Sequence, residues 1–552
     1  MQTVSRWRTV ELSFQSARGV QNPCTDVDAE AIFTGPGGIE IRRPAFWDGG
    51  RTWRVRFAPT QPGVWHYTLS TNDSSNTGLN RSTGELQSID DNEDHPIYRH
   101  GFLRKGSGGR YLAHADNTPF FWLGDTHWQF TSERWDEANK PGWSSQFRSM
   151  VDARVQQGFT VYQSNLMLFD WSSETSPYWV EGKLFRDINV DFFQTTVDRR
   201  MAYIANQGLV NAMGLGWYSI VDENLEGVKR FARYIVARYG SYPMVWTLGG
   251  EVAGYEPDRR RARIDGWREV ALTIQDADGY NQPRTAHATN ERPIAPYYQG
   301  EDWLTLTLNQ HGHGDFDMHA DHYRDYLAAY PGTPLVEGES MYEGLLSVEY
   351  QGRRPVTDTM VRHVAYRAMQ SGCCGYTYGA QGCWNAAWDR DDSKPFWGNL
   401  PCYEGIDLPG AEQLSHMRRF YEEVGWIQLR PFMACFSAEY IFNNTIYAPL
   451  VTANPEMDTV VIFFGETYRS SDGRATLSLL KNAPYRLQWF DPRTGLFTLI
   501  EEQAHPVNGT LALPAKPDGR DWVFLAQAGI VGPPGPARIA TSCVRDVASA
   551  SG

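Results

Sequence analysis

The sequence predicts a mixed α/β protein: a (β/α)8 TIM barrel flanked by an N-terminal and a C-terminal β-sandwich. Between about residues 100 and 430, apolar strand-like runs alternate with helical patterns, whereas both flanking stretches show period-two alternation. No Gly-rich turn of the dinucleotide-binding type follows a strand, which weighs against an open doubly wound sheet. We therefore expect a β-sandwich at 1–95, the barrel at 96–430, a second β-sandwich at 431–530 and a flexible tail at 531–552.

The first domain is predicted from alternating apolar residues around turns. Apolar residues alternate with polar ones on both sides of the turn at Pro62-Gly63, and this pattern predicts an antiparallel hairpin. The residues are Trp53, Val55 and Phe57 before the turn and Trp65, Tyr67 and Leu69 after it. The acidic run 90–94 predicts the linker that ends the domain.

Eight strand candidates define the predicted barrel. They are 120–124, 160–166, 209–215, 244–248, 285–289, 303–309, 334–336 and 375–379, and 285–289 is the weakest. Helical patterns lie between them, for example at 229–239 and 359–370. Eight strands that alternate with helices over this length favour a closed barrel. Alternation returns at 460–464, 475–479 and 485–489, which predicts the second sandwich.

Composition excludes several classes of function. The chain of 552 residues has 51 Lys+Arg against 65 Asp+Glu, a net charge of −14, which argues against a nucleic-acid partner. No apolar run approaches the roughly 20 residues that cross a bilayer, so we expect no membrane partner. No signal-peptide pattern is visible, which favours a cytoplasmic protein, or a secreted or periplasmic one whose leader was removed. A homo-oligomer is compatible with the sequence.

The sequence predicts neither a metal nor a cofactor. The seven cysteines have no CxxC spacing, and no phosphate-binding glycine loop occurs. The segment 311–322 is rich in His and Asp and invites a metal interpretation, but no second cluster offers the remaining ligands, so we interpret it as a polar βα loop. The 20 tryptophans favour a carbohydrate ligand or, equally, core packing.

Two glutamates follow barrel strands directly after glycine. Glu251 follows Gly249-Gly250 at the fourth strand, and Glu339 follows Gly338 at the seventh. In a barrel, reacting groups lie at the C-terminal ends of the strands, and glycosidic cleavage needs two carboxylates that face each other. A single glutamate there usually caps a helix or pairs with arginine, but this pairing favours catalysis. Glu337 is the alternative candidate to Glu339 for the catalytic carboxylate of the seventh strand.

Polar and aromatic residues at the other strand ends predict a sugar-binding mouth. Asp125 could equally be a buried partner of an Arg or His. Three tryptophans at strand ends are assigned to the sugar, whereas Trp53, Trp65 and Trp489 are assigned to packing. The substrate-binding candidates are Asp125, His127, Trp128, Gln163, Asn165, Trp217, His287, Gln310, His313, Tyr342, Tyr378, Gln381 and Trp384.

Several motifs resemble known families. Stretches 121–126, 245–251, 310–313, 337–343 and 378–384 resemble the apiosidase-like glycoside hydrolases (DUF4038). The stretches 22–23, 46–49, 53–57 and 62–65 are similar to a β-sandwich that often precedes such barrels (DUF5060), and 489–495 resembles a collagen-binding-type sandwich. The resemblance implies a retaining mechanism with Glu251 as acid/base and Glu339 as nucleophile. The apiosidase pattern usually has Asp where this chain has Glu251, which favours a related furanoside or another glycoside.

The resulting hypothesis is a retaining glycoside hydrolase that cleaves a pentofuranoside of apiose or arabinofuranose type in a plant or bacterial glycan. Because an acid must hold its proton near the working pH, we expect a raised pKa at Glu251. Two alternatives stay open: a non-catalytic carbohydrate-binding or adhesion protein, and an endo-acting glycanase on pyranosides. The sugar, the linkage, exo or endo action and the oligomeric state do not follow from the sequence.

Overall fold

A computed structural model describes most of the chain. The described residues are 1–91, 93–167, 176–181, 183–290, 294–314, 320–347, 353–392, 396–438, 448–466 and 475–529. The predicted tail at 531–552 lies outside them. Across the described ranges, no helix combines the length and apolar character needed to cross a membrane.

The N-terminal strands form two sheets around one core. A five-stranded sheet has the order β1-β8-β7-β3-β4 and a three-stranded sheet the order β2-β6-β5, and Trp53 and Trp65 are buried between them. The elements are β1 (Gln2–Ser5), β2 (Val10–Gln15), α1 (Pro23–Asp26), β3 (Ala29–Thr34), β4 (Glu40–Pro44), β5 (Phe46–Trp47), β6 (Thr52–Phe57), β7 (Gly63–Thr71) and β8 (Ser82–Ile89).

The predicted hairpin of β6 and β7 is wrong, although both strands exist. β6 pairs with β2 and β5, whereas β7 pairs with β3 and β8. The turn at Pro62-Gly63 carries the chain from one sheet to the other. As a result the apolar residues of the two strands face each other across the core, with the rings of Phe57 and Trp65 5.1 Å apart. Period-two alternation marks a half-buried strand without saying which strand is its neighbour.

The middle of the chain alternates strands with helices. Its elements are α2 (Pro96–His100), β9 (Leu103–Lys105), β10 (Leu112–His114), β11 (Pro119–Phe120), β12 (Trp122–His127), α3 (Gln146–Gln156), β13 (Val161–Asn165), α4 (Val190–Phe192), α5 (Asp198–Asn206), β14 (Val210–Gly214), α6 (Ile220–Tyr239), β15 (Met244–Trp246), α7 (Arg260–Ala277), α8 (Ala295–Tyr298), β16 (Thr307–Gln310), α9 (Ala320–Ala329), β17 (Leu335–Glu339), α10 (Asp358–Gln370), β18 (Gly375–Tyr378), α11 (Cys402–Gly405) and α12 (Gly410–Glu423).

Seven parallel strands curl into the predicted barrel, in the order β15-β14-β13-β12-β18-β17-β16. The first and last strands in sequence, β12 and β18, are neighbours, which confirms a barrel rather than an open sheet. The weak candidate 285–289 forms no regular strand. Instead, the Thr285 N–H donates to the Trp246 carbonyl at 2.8 Å and the Thr305 N–H donates to the Arg284 carbonyl at 3.0 Å, so this segment bridges β15 to the stretch leading into β16.

The C-terminal strands again form two sheets. A six-stranded sheet has the order β19-β21-β22-β27-β24-β25 and packs against α10 and α12 of the barrel, and a three-stranded sheet has the order β20-β23-β26. The strands are β19 (Arg430–Pro431), β20 (Phe436–Ala438), β21 (Leu450–Ala453), β22 (Thr459–Phe464), β23 (Ala475–Leu477), β24 (Tyr485–Asp491), β25 (Leu496–Ala504), β26 (Leu511–Ala512) and β27 (Trp522–Ala528). The domain boundaries themselves stay predictions.

Two arginines of the N-terminal sandwich cap a barrel helix. Arg43 donates to the Val236 carbonyl at 2.9 Å and Arg56 to the Arg238 carbonyl at 2.9 Å, both in the last turn of α6. Arg56 also pairs with Asp198 of α5 at 2.9 Å. Cations at a helix C-terminus satisfy its free carbonyls and oppose its dipole. The sandwich is therefore joined by buried polar contacts to the helix that precedes β15.

Candidate active site

A cavity of about 580 Å³ opens at the C-terminal ends of the barrel strands. The loops after β12, β14, β15, β16, β17 and β18 all contribute to it. The lining residues are Trp128, Trp217, Tyr218, Glu251, Tyr255, Asn290, Gln310, Gly312, His313, Gly314, Glu339, Tyr342, Leu345, Trp384 and Trp397. Eight of the predicted site residues are among them, including both glutamates.

The two glycines before Glu251 make room for tryptophan rings. A Cβ on Gly250 would lie 2.1 Å from the ring of Trp217, and one on Gly249 would lie 2.5 Å from the ring of Trp267. Neither distance is tolerable for a real side chain. Gly250 therefore leaves room for the Trp217 ring of the cavity wall, and Gly249 for the buried ring of Trp267 behind it.

Glu251 leaves the strand in a left-handed conformation, with φ of 49°. Such a backbone is rare outside glycine and is found mostly where surrounding contacts hold it in place. Its carboxyl accepts hydrogen bonds from the hydroxyl of Tyr255 at 2.6 Å and from Nε2 of Gln310 at 3.2 Å. Burial, followed by the negative charge of Glu339, raises the pKa of Glu251 as expected.

Glu339, at the end of β17, lies between two histidines. Nε2 of His313 is 3.0 Å from its Oε1, and Nε2 of His287 is 3.2 Å from its Oε2. Burial by itself would raise the pKa of this carboxyl, but the hydrogen bonds and charge of the two histidines lower it to about 2. Glu339 is therefore ionised under all ordinary conditions, in contrast to Glu251.

Aromatic rings enclose the Glu339 side of the cavity. Nε1 of Trp128 donates to the hydroxyl of Tyr342 at 3.0 Å, and the Trp128 ring stands edge-on to His287 with centroids 5.3 Å apart. Trp384 packs against Tyr342 at 6.2 Å. Burial, and then the charge of Glu339, raise the pKa of Tyr342 well above its usual range, so the phenol stays protonated. The tryptophans assigned to the sugar thus line the cavity, whereas Trp53, Trp65 and Trp489 lie in sandwich cores.

Asp125 and His127 lie in a buried ion network away from the cavity lining. Oδ2 of Asp125 accepts from Nε of Arg154 at 2.5 Å and is 3.0 Å from Nε2 of His127. Nδ1 of His127 is in turn 2.8 Å from Glu133. All four side chains are essentially inaccessible to solvent. The sequence left two interpretations of Asp125, a substrate-binding residue or a buried partner of an Arg or His. Its contacts in the structure are those of a buried partner.

Five further predicted residues are buried behind the cavity wall. His287 contacts Glu339, whereas the other four bond to neighbouring protein groups instead of facing the cavity. Those bonds are Gln163 to the Gly338 carbonyl at 2.8 Å, Asn165 to the Gly216 carbonyl at 3.0 Å, Tyr378 to Glu343 at 2.7 Å and Gln381 to Trp384 at 3.0 Å.

Glu337 differs from Glu339 in its surroundings. It is fully buried outside the cavity lining and accepts hydrogen bonds from Asn309 at 2.7 Å, the Tyr323 hydroxyl at 2.6 Å and the backbone N–H of His311 at 2.9 Å. Burial raises its pKa to about 7. These contacts make it part of the support beneath Glu339.

The sequence singled out neither Tyr255 nor Trp397. Tyr255 lies four residues after Glu251 and bonds to it, and that spacing was the available signal. Trp397 lines the cavity from a loop that follows β18 at a distance in sequence, so no strand-end pattern could identify it.

The His- and Asp-rich segment 311–322 falls partly outside the described residues. In the described part of the chain, no group of three or more His, Cys, Asp and Glu could hold a metal ion.

Together, the barrel and the paired carboxyls of one cavity define the class of glycoside hydrolases. The sequence model of the family described as "Apiosidase-like, catalytic domain" matches residues 106–428, and that of a domain of unknown function, DUF5060, matches residues 3–72. The first match spans more than half of the 552 residues, so the chain belongs to the apiosidase-like family and is an enzyme. The alternative of a non-catalytic protein is thereby set aside, and the resemblances to the apiosidase-like family and to DUF5060 are confirmed. The collagen-binding-type likeness of the last domain stays a prediction. No curated protein matches the sequence.

Solved structures show the same fold at low sequence identity. A candidate glycoside hydrolase from Bacteroides vulgatus ATCC 8482 has a TM-score of 0.72 and 17% identity, with 96% of this chain and 100% of that chain covered. A protein described as a glycoside hydrolase has a TM-score of 0.64 and 19% identity, covering 79% of this chain and 99% of that chain. A glycoside hydrolase family 5 protein from Bacteroides vulgatus ATCC 8482 has a TM-score of 0.63 and 16% identity, covering 80% and 96%.

Proposed function

We propose that this glycoside hydrolase is a retaining enzyme that cleaves a pentofuranoside of apiose or arabinofuranose type in a plant or bacterial glycan. Glu339 acts as the nucleophile and Glu251 as the acid/base. The observation that carries the proposal is the unequal charge environment of two carboxyls in one cavity. Glu339 contacts two histidines, whereas the hydrogen-bond partners of Glu251 are the uncharged Tyr255 and Gln310.

This inequality assigns the two roles. An ionised carboxylate can attack the anomeric carbon, and a carboxyl that keeps its proton can donate it to the leaving oxygen. In the first step the Glu339 oxygen forms a bond to the anomeric carbon while the glycosidic oxygen leaves with the proton of Glu251. In the second step Glu251 takes a proton from water, and that water displaces Glu339 from the sugar. The enzyme ends in its starting protonation state.

The cavity wall supports a neutral sugar as the substrate. Stacking rings of Trp128, Trp217 and Trp384 surround the two carboxyls, and Gln310 and Asn290 offer neutral hydrogen-bonding groups. Among the described lining residues there is neither lysine nor arginine to pair with an acidic sugar. The family match favours a furanoside over a pyranoside. Because Glu251 stands where the apiosidase pattern usually has Asp, we retain arabinofuranose as a candidate sugar in addition to apiose.

A panel of 4-nitrophenyl furanosides and pyranosides tests the proposal. We expect release of nitrophenol from a pentofuranoside, with the first-formed sugar retaining its anomeric configuration by NMR. Hydrolysis with inversion, or of pyranosides alone, would contradict the retaining or the furanoside part; internal cleavage of a pyranose polymer would point to the endo-acting alternative. Glu226→Gln, on the exposed side of α6, serves as a control for Glu→Gln exchange.

A further inference from the structure

Tyr255 is held against Glu251 by a tight turn. The Gly254 N–H donates to the Glu251 carbonyl at 2.8 Å, and Gly254 itself has φ of 59°, a conformation that favours glycine. The Val252 N–H donates to the His287 carbonyl at 3.1 Å, which anchors the turn to the barrel. The turn returns the chain toward Glu251, so that the Tyr255 hydroxyl donates to Oε1 of Glu251 at 2.6 Å.

The Tyr255 ring meets a second tyrosine at the mouth of the cavity. Its centroid lies 6.2 Å from that of Tyr218 in an edge-to-face arrangement. The guanidinium of Arg263 lies 4.6 Å from the Tyr218 ring centroid and pairs with Asp222 at 2.8 Å, so Tyr218 is fixed from behind. The Tyr255 side remains open, because this residue is 42% exposed although it lines the cavity.

The tyrosine pair lies on the side of the cavity where a leaving group would depart. In a retaining mechanism the acid/base contacts the leaving oxygen, whereas the nucleophile contacts the sugar that is held. Tyr255 bonds to Glu251, and the enclosed wall of Trp128, Tyr342 and Trp384 surrounds Glu339. The two aromatic groups therefore serve opposite ends of the bond that is cleaved.

We propose that Tyr218 and Tyr255 form the binding site for the leaving group, a neutral sugar ring with an apolar face, and that the Tyr255 hydroxyl aims Glu251 at the leaving oxygen. This inference rests on the proposed function of Glu251. Tyr255 is a positioning residue for the proton donor, and Tyr218 contributes only to binding. An aryl leaving group presents the same flat apolar surface and is accepted by the same chemistry.

The hydroxyl of Tyr255 also sets the pH range of the donor. A hydrogen bond donated to a carboxylate stabilises the ionised form and lowers the pKa of Glu251, against the larger effect of burial, which raises it. Loss of the hydroxyl therefore raises this pKa further. Because the protonated form is the active one in the first step, the alkaline limb of kcat/KM should move to higher pH in Tyr255→Phe.

Three substrates with one glycone and different leaving groups separate these roles. They are the glycosyl fluoride, whose leaving group needs neither a proton nor a ring site, the 4-nitrophenyl glycoside, and a disaccharide. The variants are Tyr255→Phe, Tyr255→Ala, Tyr218→Phe and Tyr218→Ala, with Tyr403→Ala of α11 as a control outside the cavity. Values of kcat and KM are measured against pH, and thermal melts confirm folding.

For Tyr255→Phe we expect kcat/KM on the disaccharide to fall about tenfold, which is the scale of one hydrogen bond between uncharged groups. The fluoride should be hydrolysed as by the unmodified enzyme, and the alkaline limb should rise. For Tyr218→Ala we expect a several-fold rise of KM for the disaccharide and the nitrophenyl glycoside, with no shift of the limb. For Tyr218→Phe, which keeps the ring, we expect a smaller rise of KM than for Tyr218→Ala, and Tyr255→Ala should combine the losses of Tyr255→Phe and Tyr218→Ala.

Equal losses on all three substrates, or an unchanged alkaline limb in Tyr255→Phe, would overturn the inference. Failure of the underlying function has a different signature. If Glu251→Gln hydrolyses the disaccharide as fast as the fluoride, Glu251 is not the proton donor and the proposed function fails first. If Glu251→Gln is selectively impaired on the disaccharide while Tyr255→Phe and Tyr218→Ala act as the unmodified enzyme does, only the leaving-group site is refuted.

Discussion

Two acid–histidine groups lie at the ends of barrel strands, and only one of them borders the cavity. In the ion network of β12, Asp125 and Glu133 are matched by His127 and Arg154, and all four are sealed from solvent. In the cavity, two histidines contact Glu339, while the hydrogen-bond partners of Glu251 among the described residues are the uncharged Tyr255 and Gln310. One group is balanced in charge and the other has a carboxyl whose proton can be exchanged.

Under the proposed function, this difference separates a structural carboxylate from a reactive one. Both groups combine carboxyl groups with histidine near the C-terminal ends of barrel strands. Because Asp125 has two cationic partners within hydrogen-bond reach, its charge is neutralised in the ground state. Glu251 accepts its hydrogen bonds from uncharged groups, and burial followed by the charge of Glu339 raises its pKa, against a smaller opposing effect of His287. The role of each carboxyl therefore depends on the hydrogen-bond and ion-pair partners that distant segments of the chain contribute.

The largest effect that the comparison predicts is loss of turnover in the cavity group. Glu339→Gln removes the attacking oxygen's charge and should lower kcat by about a thousandfold or more, on the scale of removing a nucleophile. Glu251→Gln should lower it by about 10²–10⁴-fold for leaving groups that need a proton. Steady-state kinetics measure the Glu339→Gln loss on the nitrophenyl pentofuranoside and the Glu251→Gln loss on a disaccharide, whose leaving oxygen needs the proton. Near-normal turnover in Glu339→Gln would remove it from the mechanism, and unchanged melting temperatures would show that the losses are chemical.

The ion network should respond in stability instead. Asp125→Ala leaves Arg154 and His127 buried without their shared partner and should lower the free energy of unfolding by about 3–5 kcal/mol. Urea titration measures this loss, and Asp136→Ala, an exposed pair of Arg199, is the matched control. A fall of kcat in Asp125→Ala as large as that in Glu339→Gln, with stability intact, would show that the two groups share one role.

The stability that each group contributes should depend on pH in opposite directions. Burial would lower the pKa of His127, but the charges of Glu133 and Asp125 raise it to about 9. The stabilisation is therefore complete below about pH 6.5 and is lost as the pH rises through about 9. The depressed pKa of Glu339, about 2, acts in the opposite sense, since its contribution is present above about pH 4.5 and is lost as the pH falls toward 2.

Urea titrations of wild type and His127→Gln between pH 6 and 10 test the alkaline part. The difference in unfolding free energy should shrink with rising pH, by about 1–3 kcal/mol across this range. A difference that stays constant with pH would mean that His127 is neutral in the folded protein.

The last prediction, of an effect no larger than that for His127→Gln, concerns Glu337, the glutamate nearest to Glu339 in sequence. Glu337→Gln places an amide opposite hydrogen-bond donors, which should lower stability by about 1–3 kcal/mol while the folded enzyme keeps most of its turnover. Kinetics below the melting temperature provide the measurement. Turnover as low as that of Glu339→Gln would reverse the order of the two glutamates.

The barrel and its carboxyl pair could be predicted because strand periodicity and strand-end position are local in sequence. Trp128, Trp217 and Trp384 were placed at the cavity by the same rule. Partners are not local: Asp125 meets Arg154 of α3, and no pattern at β12 announces this. The predicted pairing of β6 with β7 was wrong for a similar reason, because the alternation of apolar residues identifies a strand but not the sheet to which it belongs. Tyr255 depends on a turn whose left-handed residues include a glutamate, an uncommon choice that propensity does not foresee.

The arginines that cap α6 have a consequence for how this enzyme can be divided. Residues 106–428 match the catalytic family, yet the last turn of α6 has its carbonyls satisfied by Arg43 and Arg56, which lie outside that range. A barrel expressed without the first domain would expose this helix end and the aromatic surface around it, directly before β15, which Glu251 follows. The N-terminal sandwich thus supports the helix that leads to β15 and Glu251, and excision of the catalytic domain should yield an aggregating rather than a minimal enzyme.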